Sequence, residues 1–460
     1  PTYPMLYEST RGHCEPLTFQ QALLTGQASD GGLLMPHSIP DIRDRIDAWR
    51  SLGYVELCEE VVALFVKDID RKTLRDLIRN SYATFDHREV VELVPVENRH
   101  VLELFHGPTL AFKDVALQLV GNLFDHVLQN QGGNLNILGA TSGDTGSAAI
   151  AGVRGRKNIQ IFVMYPHGRI SPLQELQMTT VDDPNVHCLA LKGSFDDCQS
   201  IMKEIFNDTE FKQKHQLGAV NSVNWARVMI QIVYYIYSAL RFDEEVTFSV
   251  PTGNFGNILA GLIAKRMGAP ISNFILATNE NDILARYFTS GLYKRGPVHQ
   301  TTSPSMDIQV ASNFERFVFL QTDKEAEQVT RFMERFAASG EAKLAIDDDP
   351  DDKIYATQIT RTRANETIAK YASQYDYVLE PHSAIGVAAS EVFDLDGPNI
   401  CLATAHPAKF PEAIQEALPE RKVTHEKLEK LKTRPSDREV LDADVSLVKD
   451  YIQGLSSGLN

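Results

Sequence analysis

The chain has 460 residues, of which 43% are hydrophobic and 23% are charged, the composition of an ordinary globular protein. At roughly 100–200 residues per domain, this length predicts two to four domains. The formal net charge of −16 argues against a general nucleic-acid binder and against docking on an anionic membrane. An anionic substrate would therefore have to be captured by local positive groups.

Other bulk features favour a cytoplasmic protein without a metal or a membrane anchor. The five cysteines show neither CxxC spacing nor a disulfide-rich pattern, which is typical of a reducing compartment. The histidines form no HExxH motif, and no Cys/His cluster has zinc-ligand spacing, so we predict no metal site. The first residues do not resemble a secretory signal. The longest apolar stretch, Val228–Leu240, is too short to span a bilayer and predicts a buried helix.

Residues 1–95 have the pattern of a helical N-terminal module. Apolar residues recur at helical spacing in Phe19–Leu24, Leu57–Val66 and Lys72–Ile78. A pair of glycines predicts a turn that leads into a short extended piece, Leu33–Pro36.

Residues 96–460 follow a different rhythm, in which short apolar runs lead into a turn and then a helix. The predicted helices include Ala148–Val153 and Ile258–Met267. The predicted strands are Asn136–Leu138, Ile159–Tyr165, Val246–Val250, Phe274–Ala277, Tyr377–Leu379 and Ile400–Ala403. Strands that alternate with helices predict an α/β fold with mostly parallel sheets covered on both faces. Such sheets bind ligands at the carboxyl ends of their strands.

One of these strand-to-helix loops, GNFGN at residues 253–257, has the features of a phosphate site. A helix N-terminus offers unpaired backbone N–H groups and a positive dipole end. Glycines allow close approach of the backbone to a ligand. Neither GxGxxG nor Walker A fits, so a phosphate outside a dinucleotide or triphosphate is the better interpretation. A tight turn that binds nothing explains this loop alone equally well.

The loop TSGDTGS, residues 141–147, also lies between a strand and a helix. Its small hydroxyls and backbone N–H groups could hold a carboxylate, or could simply cap the helix. Asp144 is awkward for an anion site unless it faces away or meets a positive group.

The segment HGPTLAFKD contains a candidate nucleophile, Lys113. An exposed lysine has a pKa near 10.4, so that very little of it is neutral at pH 7. Burial or a nearby cation raises the neutral fraction and makes the amine reactive toward an aldehyde. Most lysines merely make the surface soluble, so that this residue alone decides nothing.

Together these segments belong to an ordered series of motifs that extends from about Tyr7 to Lys409. The series comprises STRG, DGGLLMP, HGPTLAFKD, ATSGDTGSAA, YPHGRISPLQELQM, VNSVNWAR, PTGNFGN, ATNEND, SPSMDIQVASNFER and ATAHPAKF. It closely resembles threonine synthases of the fungal and enterobacterial type.

The resemblance implies the fold of pyridoxal phosphate (PLP) enzymes of fold type II, which is similar to that of the tryptophan synthase β chain. This fold has two mostly parallel sheets with flanking helices, here preceded by the helical N-terminal module at 1–95. The catalytic region would span residues 96–460, with a small α/β subdomain at about residues 135–235 within the larger one. We expect a monomer or a small homo-oligomer.

The resemblance also implies the residues of the site. Lys113 would form the Schiff base with PLP, and Thr404 would face the pyridine nitrogen. The cradle for the cofactor phosphate would consist of Gly253, Asn254, Phe255, Gly256 and Asn257. The loop that closes on the substrate carboxylate would contain Thr141, Ser142, Asp144 and Thr145. The candidates for binding the leaving phosphate are Arg169 and Lys409, with His167 and Arg316 behind them and with help from Ser171.

The implied reaction is that of a lyase that acts on a phosphate ester in amino-acid biosynthesis. It converts O-phospho-L-homoserine and water into L-threonine and phosphate. Another PLP enzyme of the same fold, such as a serine/threonine dehydratase or a phospho-lyase, is the nearest alternative, because fold alone does not separate them. A catalytically silent binding protein is a second alternative, although the presence of Lys113 argues against it.

Overall fold

A computed structural model of the chain describes residues 4–349 and 353–456, which form nineteen α-helices and fifteen β-strands. The helices are α1 (Phe19–Thr25), α2 (Ile46–Trp49), α3 (Tyr54–Phe65), α4 (Arg71–Tyr82), α5 (Lys113–Gln131), α6 (Asp144–Val153), α7 (Pro172–Thr179), α8 (Phe195–Asn207), α9 (Thr209–Lys214), α10 (Trp225–Ala239), α11 (Gly256–Met267), α12 (Ile283–Ser290), α13 (Phe314–Gln321), α14 (Ala326–Ser339), α15 (Arg361–Tyr375), α16 (Pro381–Val392), α17 (Pro411–Ala417), α18 (Glu426–Glu429) and α19 (Val445–Ser456). The strands are β1 (Tyr7–Ser9), β2 (Leu34–Pro36), β3 (Glu92–Val96), β4 (Arg99–Glu103), β5 (Leu135–Ala140), β6 (Ile159–Pro166), β7 (Val186–Lys192), β8 (Leu217–Gly218), β9 (Val246–Pro251), β10 (Ile271–Thr278), β11 (Leu292–Lys294), β12 (Glu341–Lys343), β13 (Ile354–Gln358), β14 (Asn399–Ala403) and β15 (Glu439–Asp442).

The larger sheet has six strands in the order β13-β10-β9-β14-β4-β3. Its strands pair in parallel, except for the antiparallel pair of β3 and β4 at one edge. Helices connect the parallel strands, as right-handed crossovers require. The predicted α/β fold with mostly parallel sheets is confirmed.

The smaller sheet has five parallel strands in the order β15-β7-β6-β5-β8. Four of them come from residues 135–218, within the predicted small subdomain. The fifth, β15, was not predicted and comes from near the end of the described chain. Helix α19 follows it and buries Val448 and Ile452 against the core of this sheet. The small unit is therefore completed by a segment distant in sequence.

The N-terminal residues pack onto α13 through polar contacts. Arg316 of α13 is fully buried and donates from Nε and Nη2 to the carbonyl oxygen of Leu34, at 3.1 and 2.8 Å. Arg11 forms an ion pair with Glu315 at 2.9 Å. The three predicted helices of the module and its extended piece are confirmed as α1, α3, α4 and β2.

Helices α5 and α6 cross unusually closely, which joins the two sheets. A Cβ atom added at Gly121 would lie 2.1 Å from the carbonyl oxygen of Gly152, so only glycine fits at this crossing. Helix α10, predicted from its apolar stretch, is buried along its whole length. In the described part of the chain, no helix has both the length and the apolar composition to cross a membrane.

The strand predicted at Tyr377–Leu379 is wrong. Asp376 ends α15 in the left-handed conformation, and Glu380 caps the start of α16. The three residues between them form an irregular link, in which the Tyr377 hydroxyl donates to Glu103 at 2.5 Å.

Replacing Ile452 with alanine should lower the free energy of unfolding by about 2–4 kcal/mol, because the side chain is fully buried against the small sheet. Urea denaturation followed by circular dichroism measures this change. The matched control is Leu447→Ala in the same helix, where the side chain is 40% exposed and the expected change is below about 0.5 kcal/mol. Equal losses for both variants would contradict the packing assigned to α19.

Candidate active site

Lys113 is placed at the start of α5 by backbone pairing between two segments that are distant in sequence. Ala111 and Ala405 form an isolated antiparallel bridge. The amide of Phe112 donates to the carbonyl oxygen of Thr404 at 2.7 Å. The two residues that the sequence assigned to opposite ends of one cofactor are therefore brought together by main-chain hydrogen bonds.

Asp114, the residue after Lys113, braces the turn that precedes the helix. Its fully buried carboxylate accepts from the amide of Thr109 at 2.8 Å and from the Thr109 hydroxyl at 2.6 Å. Burial raises the pKa of Asp114, although these hydrogen bonds oppose that effect. A Cβ atom at Gly107 would lie 2.5 Å from the Asp114 Cβ, so the turn also requires glycine there.

The surroundings of Lys113 raise the neutral fraction of its amine. Burial lowers its pKa to about 8. Asp144 opposes this shift, whereas Arg227 and Lys409 reinforce it. Burial, rather than a neighbouring cation, is the main cause of this lowered pKa.

The loop Gly253–Asn257 leads from β9 into α11, as predicted. Phe255 adopts a left-handed conformation with φ of 70° and turns the chain into the helix. A Cβ atom at Gly253 would lie 2.8 Å from the carbonyl oxygen of Ser305, so this position is restricted to glycine. By helix geometry, the first amides of α11 have no partner within the helix.

Asn257 is fixed in this loop through one end of its side chain only. Its Oδ1 atom accepts from the hydroxyls of Tyr234 and Tyr235 at 2.5 and 2.7 Å. Its Nδ2 atom is buried and has no hydrogen-bond partner among the residues that the structure describes. A buried donor without a partner is unfavourable, so this amide has the capacity to bind an acceptor.

Thr404 lies at the carboxyl end of β14 and is anchored through its backbone. Its amide donates to the Ser383 hydroxyl at 3.2 Å, and Ser383 donates in turn to the buried carboxylate of Glu380. Within residues 4–349 and 353–456, nothing bonds to the Thr404 hydroxyl itself. The neighbouring His382 is fixed to the backbone, because its Nε2 accepts from the amide of Ser305 at 3.3 Å.

In the TSGDTG loop, one hydroxyl bonds to the loop itself, whereas two others remain available to a ligand. The Thr141 hydroxyl accepts from the amides of Gly143 and Gly146, both at 2.9 Å, so it caps α6. Ser142 and Thr145 are only half-buried, and their hydroxyls have no partner in the described chain. The structure thus brings the loop to the site, but commits Thr141 to its internal geometry.

Asp144 and Lys409 contact each other. The Lys409 Nζ atom lies 2.7 Å from Asp144 Oδ1 and also donates to the carbonyl oxygen of Thr109 at 2.8 Å. Burial raises the pKa of Asp144, but Lys409 and then Lys113 outweigh it, so the pKa lies well below the usual range. Gln174 adds a donor to Asp144 at 3.2 Å. Asp144 therefore contacts a positive group, which is one of the two conditions under which an aspartate fits an anion-binding loop.

Arg169 and Ser171 lie on the small unit just before and at the start of α7. The Ser171 hydroxyl accepts from the Gln174 amide at 3.2 Å and caps the helix. The Arg169 side chain is exposed. Arg316, considered for phosphate binding, is instead buried in the contact with the N-terminal module.

Arg227 is a site residue that the sequence reasoning missed. It lies in the first turn of α10, is fully buried, and its charge acts on Lys113. Nη1 donates to the carbonyl oxygen of Val220 at 3.1 Å, whereas Nε is buried with no partner in the described chain. Burial lowers its pKa to about 10. Arg227 is the last residue of the VNSVNWAR motif, and this motif was the feature of the sequence that could have identified it.

One cluster outside this site contains potential metal ligands. Glu92 and Glu103 face each other across β3 and β4, and His106 Nε2 lies 3.8 and 3.1 Å from their carboxylates. The His106 ring therefore contacts carboxylates and is 20% exposed. The ring lies on the side of both carboxylates, where its Nε2 is within hydrogen-bonding distance of Glu103.

Three known protein families together match almost the whole described chain. The family "Threonine synthase N terminus" matches residues 6–82, and "Pyridoxal-phosphate dependent enzyme" matches residues 100–399. "Threonine synthase, C-terminal" matches residues 383–452, which include β15 and most of α19.

Individual proteins agree with these matches. The chain is 43% identical to the threonine synthase of Saccharomyces cerevisiae, with 98% of each chain covered. It is 46% identical to that of Pseudomonas aeruginosa, with 90% of each chain covered. The structure of PLP-bound threonine synthase from Brucella melitensis is 44% identical and superposes with a TM-score of 0.94, covering 98% of this chain and 99% of that chain.

Lys113 should react with an amine-specific acylating reagent at lower pH than ordinary lysines do. In cofactor-free protein, half-maximal reactivity is expected at a pH of about 8, because burial destabilises its ammonium form. Ordinary lysines reach this point near pH 10.4. Competitive labelling across pH, with the peptides resolved by mass spectrometry, measures both. A Lys113 profile that coincides with those of the exposed lysines would contradict the described environment.

Proposed function

Because this chain belongs to the threonine synthase family, we propose that it converts O-phospho-L-homoserine and water into L-threonine and phosphate. It is a PLP-dependent lyase of threonine biosynthesis. The observation that carries the proposal is the position of Lys113, a lysine of lowered pKa held beside Thr404. A related phospho-lyase or serine/threonine dehydratase is the alternative activity.

The residues present suit PLP. Lys113 offers a primary amine to its aldehyde, and the loop Gly253–Asn257, with the first turn of α11, offers backbone amides to its phosphate dianion. The orphaned Nδ2 atom of Asn257 is a donor that such an acceptor would satisfy. The Thr404 hydroxyl is available to the pyridine nitrogen of PLP. Because this hydroxyl is neutral, it would leave that nitrogen largely unprotonated.

When bound, PLP supplies the electron sink that lets protons leave the substrate carbons. The chain itself supplies the proton transfers. Lys113 Nζ, with a pKa of about 8, exchanges protons readily near neutral pH. It is the group we assign to take the proton from the substrate Cα and later to return it. The buried brace between Thr109 and Asp114 fixes the turn that precedes this amine.

The substrate carboxylate is assigned to the TSGDTG loop and the substrate phosphate to arginines. The hydroxyls of Ser142 and Thr145 have no partner among the residues that the structure describes, and the N-terminus of α6 adds a positive dipole end. For the phosphate we favour Arg169 and Arg227, since guanidinium groups bind phosphate in a bidentate manner. Ser171 supports this region from the α7 cap. Substrate contact by Thr141, Asp144 and Lys409 stays a prediction, because these side chains are engaged with protein groups in this conformation.

The remaining assignments concern the organisation of the chain. We propose an N-terminal module at residues 1–95 and a catalytic region at 96–460, whose small subdomain, near 135–235, gains the segment containing β15 and α19. A cytoplasmic location is supported by the five unpaired cysteines, and the absence of nucleic-acid binding by the net charge of −16. We also propose a monomer or a small homo-oligomer.

Replacing Lys113 with alanine should abolish phosphate release from O-phospho-L-homoserine, because the variant lacks both the amine that binds the cofactor and the proton-transfer group. A loss of at least about a thousandfold is expected, since it combines two functions of one residue. Phosphate and threonine are measured together after addition of PLP. Lys203→Ala, which removes an exposed lysine on α8, is the matched control and should retain full activity.

Borohydride reduction of the PLP-loaded protein, followed by peptide mapping, should place the tag on Lys113. A tag on another lysine would contradict the proposal. Formation of 2-oxobutyrate without threonine would favour the dehydratase alternative.

Replacing Arg227 with glutamine should raise KM for O-phospho-L-homoserine by about tenfold or more, equivalent to about 1.4 kcal/mol of lost binding. The expected cause is the loss of a buried guanidinium whose Nε has no protein partner among the described residues. Steady-state kinetics with the PLP-saturated enzyme measure the effect. Arg227→Lys, which keeps the charge but not the bidentate geometry, should lie in between. An unchanged KM would exclude Arg227 from the phosphate site.

A further inference from the structure

A buried ion pair connects the two sheets beside Lys113. The side chains of Lys409 and Asp144 are 0% and 5% exposed, and their charged atoms lie 2.7 Å apart. Asp144 is the first residue of α6, which belongs to the small unit. Lys409 ends the short 3₁₀ turn Pro407–Lys409 that follows β14 of the large sheet. The pair therefore holds a loop of one unit against a loop of the other.

The same lysine reaches the segment that carries Lys113. Lys409 donates a second hydrogen bond to the carbonyl oxygen of Thr109, at 2.8 Å. Gln177 of α7 donates to that same oxygen at 3.0 Å. Thr109 is in turn fixed to Asp114, the neighbour of Lys113. The position of the reactive amine is thus coupled to the contact between the two units.

The charges around Lys113 are nearly balanced only while both partners are present. Asp144 faces it from α6, Arg227 from α10 and Lys409 from the 3₁₀ turn, and Asp114 is the second residue of its own helix, α5. Charges in a buried site are screened only weakly by solvent and salt. Removing one member of the ion pair would leave the other as an uncompensated charge next to the amine.

We propose that Asp144 and Lys409 are a positioning pair, in which Lys409 fixes both loops around Lys113 and Asp144 cancels the charge of Lys409. This inference rests on the proposed function, because it concerns the amine that binds the cofactor. The pair also gives a reason for a charged aspartate, rather than a neutral side chain, at residue 144. An asparagine there could still accept a hydrogen bond, but it would leave the Lys409 ammonium uncompensated beside a second amine.

The test compares Asp144→Asn, Lys409→Met and the double variant as full-length, PLP-loaded proteins. The visible absorbance of each is titrated between about pH 6 and about pH 10, which follows the proton on the Lys113 nitrogen. Asp144→Asn should lower the midpoint by about one pH unit or more, because a free positive charge disfavours the protonated nitrogen. Lys409→Met should raise it by a similar amount. The double variant should return to within about half a unit of the original value.

The matched control is Lys427→Met. Lys427 pairs with Asp86 at 2.6 Å and donates to the carbonyl oxygen of Gly107 at 3.2 Å, in the same segment as Thr109. Its side chain is 31% exposed, so solvent screens its charge, and the midpoint should not move. Lys409→Arg keeps the charge and should also preserve the midpoint. Neither the double variant nor Lys409→Arg leaves an uncompensated charge. If a single variant does not fold, the midpoints of these two variants test the proposal.

Opposite shifts in the two single variants, cancelled in the double variant, would support the positioning pair. Shifts in the same direction, no shifts, or a displaced midpoint in the double variant or in Lys409→Arg would overturn it. Borohydride tagging of the original protein separates this outcome from the proposed function. A tag on Lys113 with immobile midpoints rejects the pair alone, whereas a missing tag rejects the function.

Discussion

The desolvation of one amine, on a partly buried lysine, is the constraint on which the arrangement of the site depends. An ammonium group loses hydration when protein encloses it, and the pKa of Lys113 falls to about 8 as a result. Main-chain hydrogen bonds to the Thr404 segment, rather than an ion pair, hold the lysine in place. In the described chain no carboxylate lies within ion-pairing distance of its nitrogen, so the amine is free to exchange its proton.

The two sheets contribute different groups to this site. The large sheet supplies the Thr404 strand and the Gly253–Asn257 loop, whereas the small sheet supplies the TSGDTG loop and the start of α7. Two contacts of different kinds join them. The glycine crossing of α5 and α6 is a steric contact without room for a side chain, and the pair of Asp144 and Lys409 is electrostatic. The steric contact allows α5 and α6 to lie close together, and the ion pair joins one loop of each unit.

Local patterns in the sequence predicted most of the fold, but long-range contacts were out of reach. Apolar runs followed by glycine-rich turns identified β5, β6, β9, β10 and β14 because buried parallel strands are apolar throughout. Strand β15 is an edge strand with exposed Glu439 and Asp442, so it has no such run. The motifs located Lys113 and Thr404, but they could not show that Lys409 is turned toward Asp144. The burial of Arg227 likewise depends on tertiary packing.

The late position of β15 has a consequence for how the chain folds during synthesis. Its partner β7 leaves the ribosome long before it, and until then one edge of β7 exposes unpaired N–H and C=O groups. Until β15 and α19 are synthesised, the nascent chain therefore exposes an unpaired sheet edge and the apolar face that Val448 and Ile452 later cover. Chaperone dependence, and aggregation of chains whose translation stops early, are expected to originate at this edge.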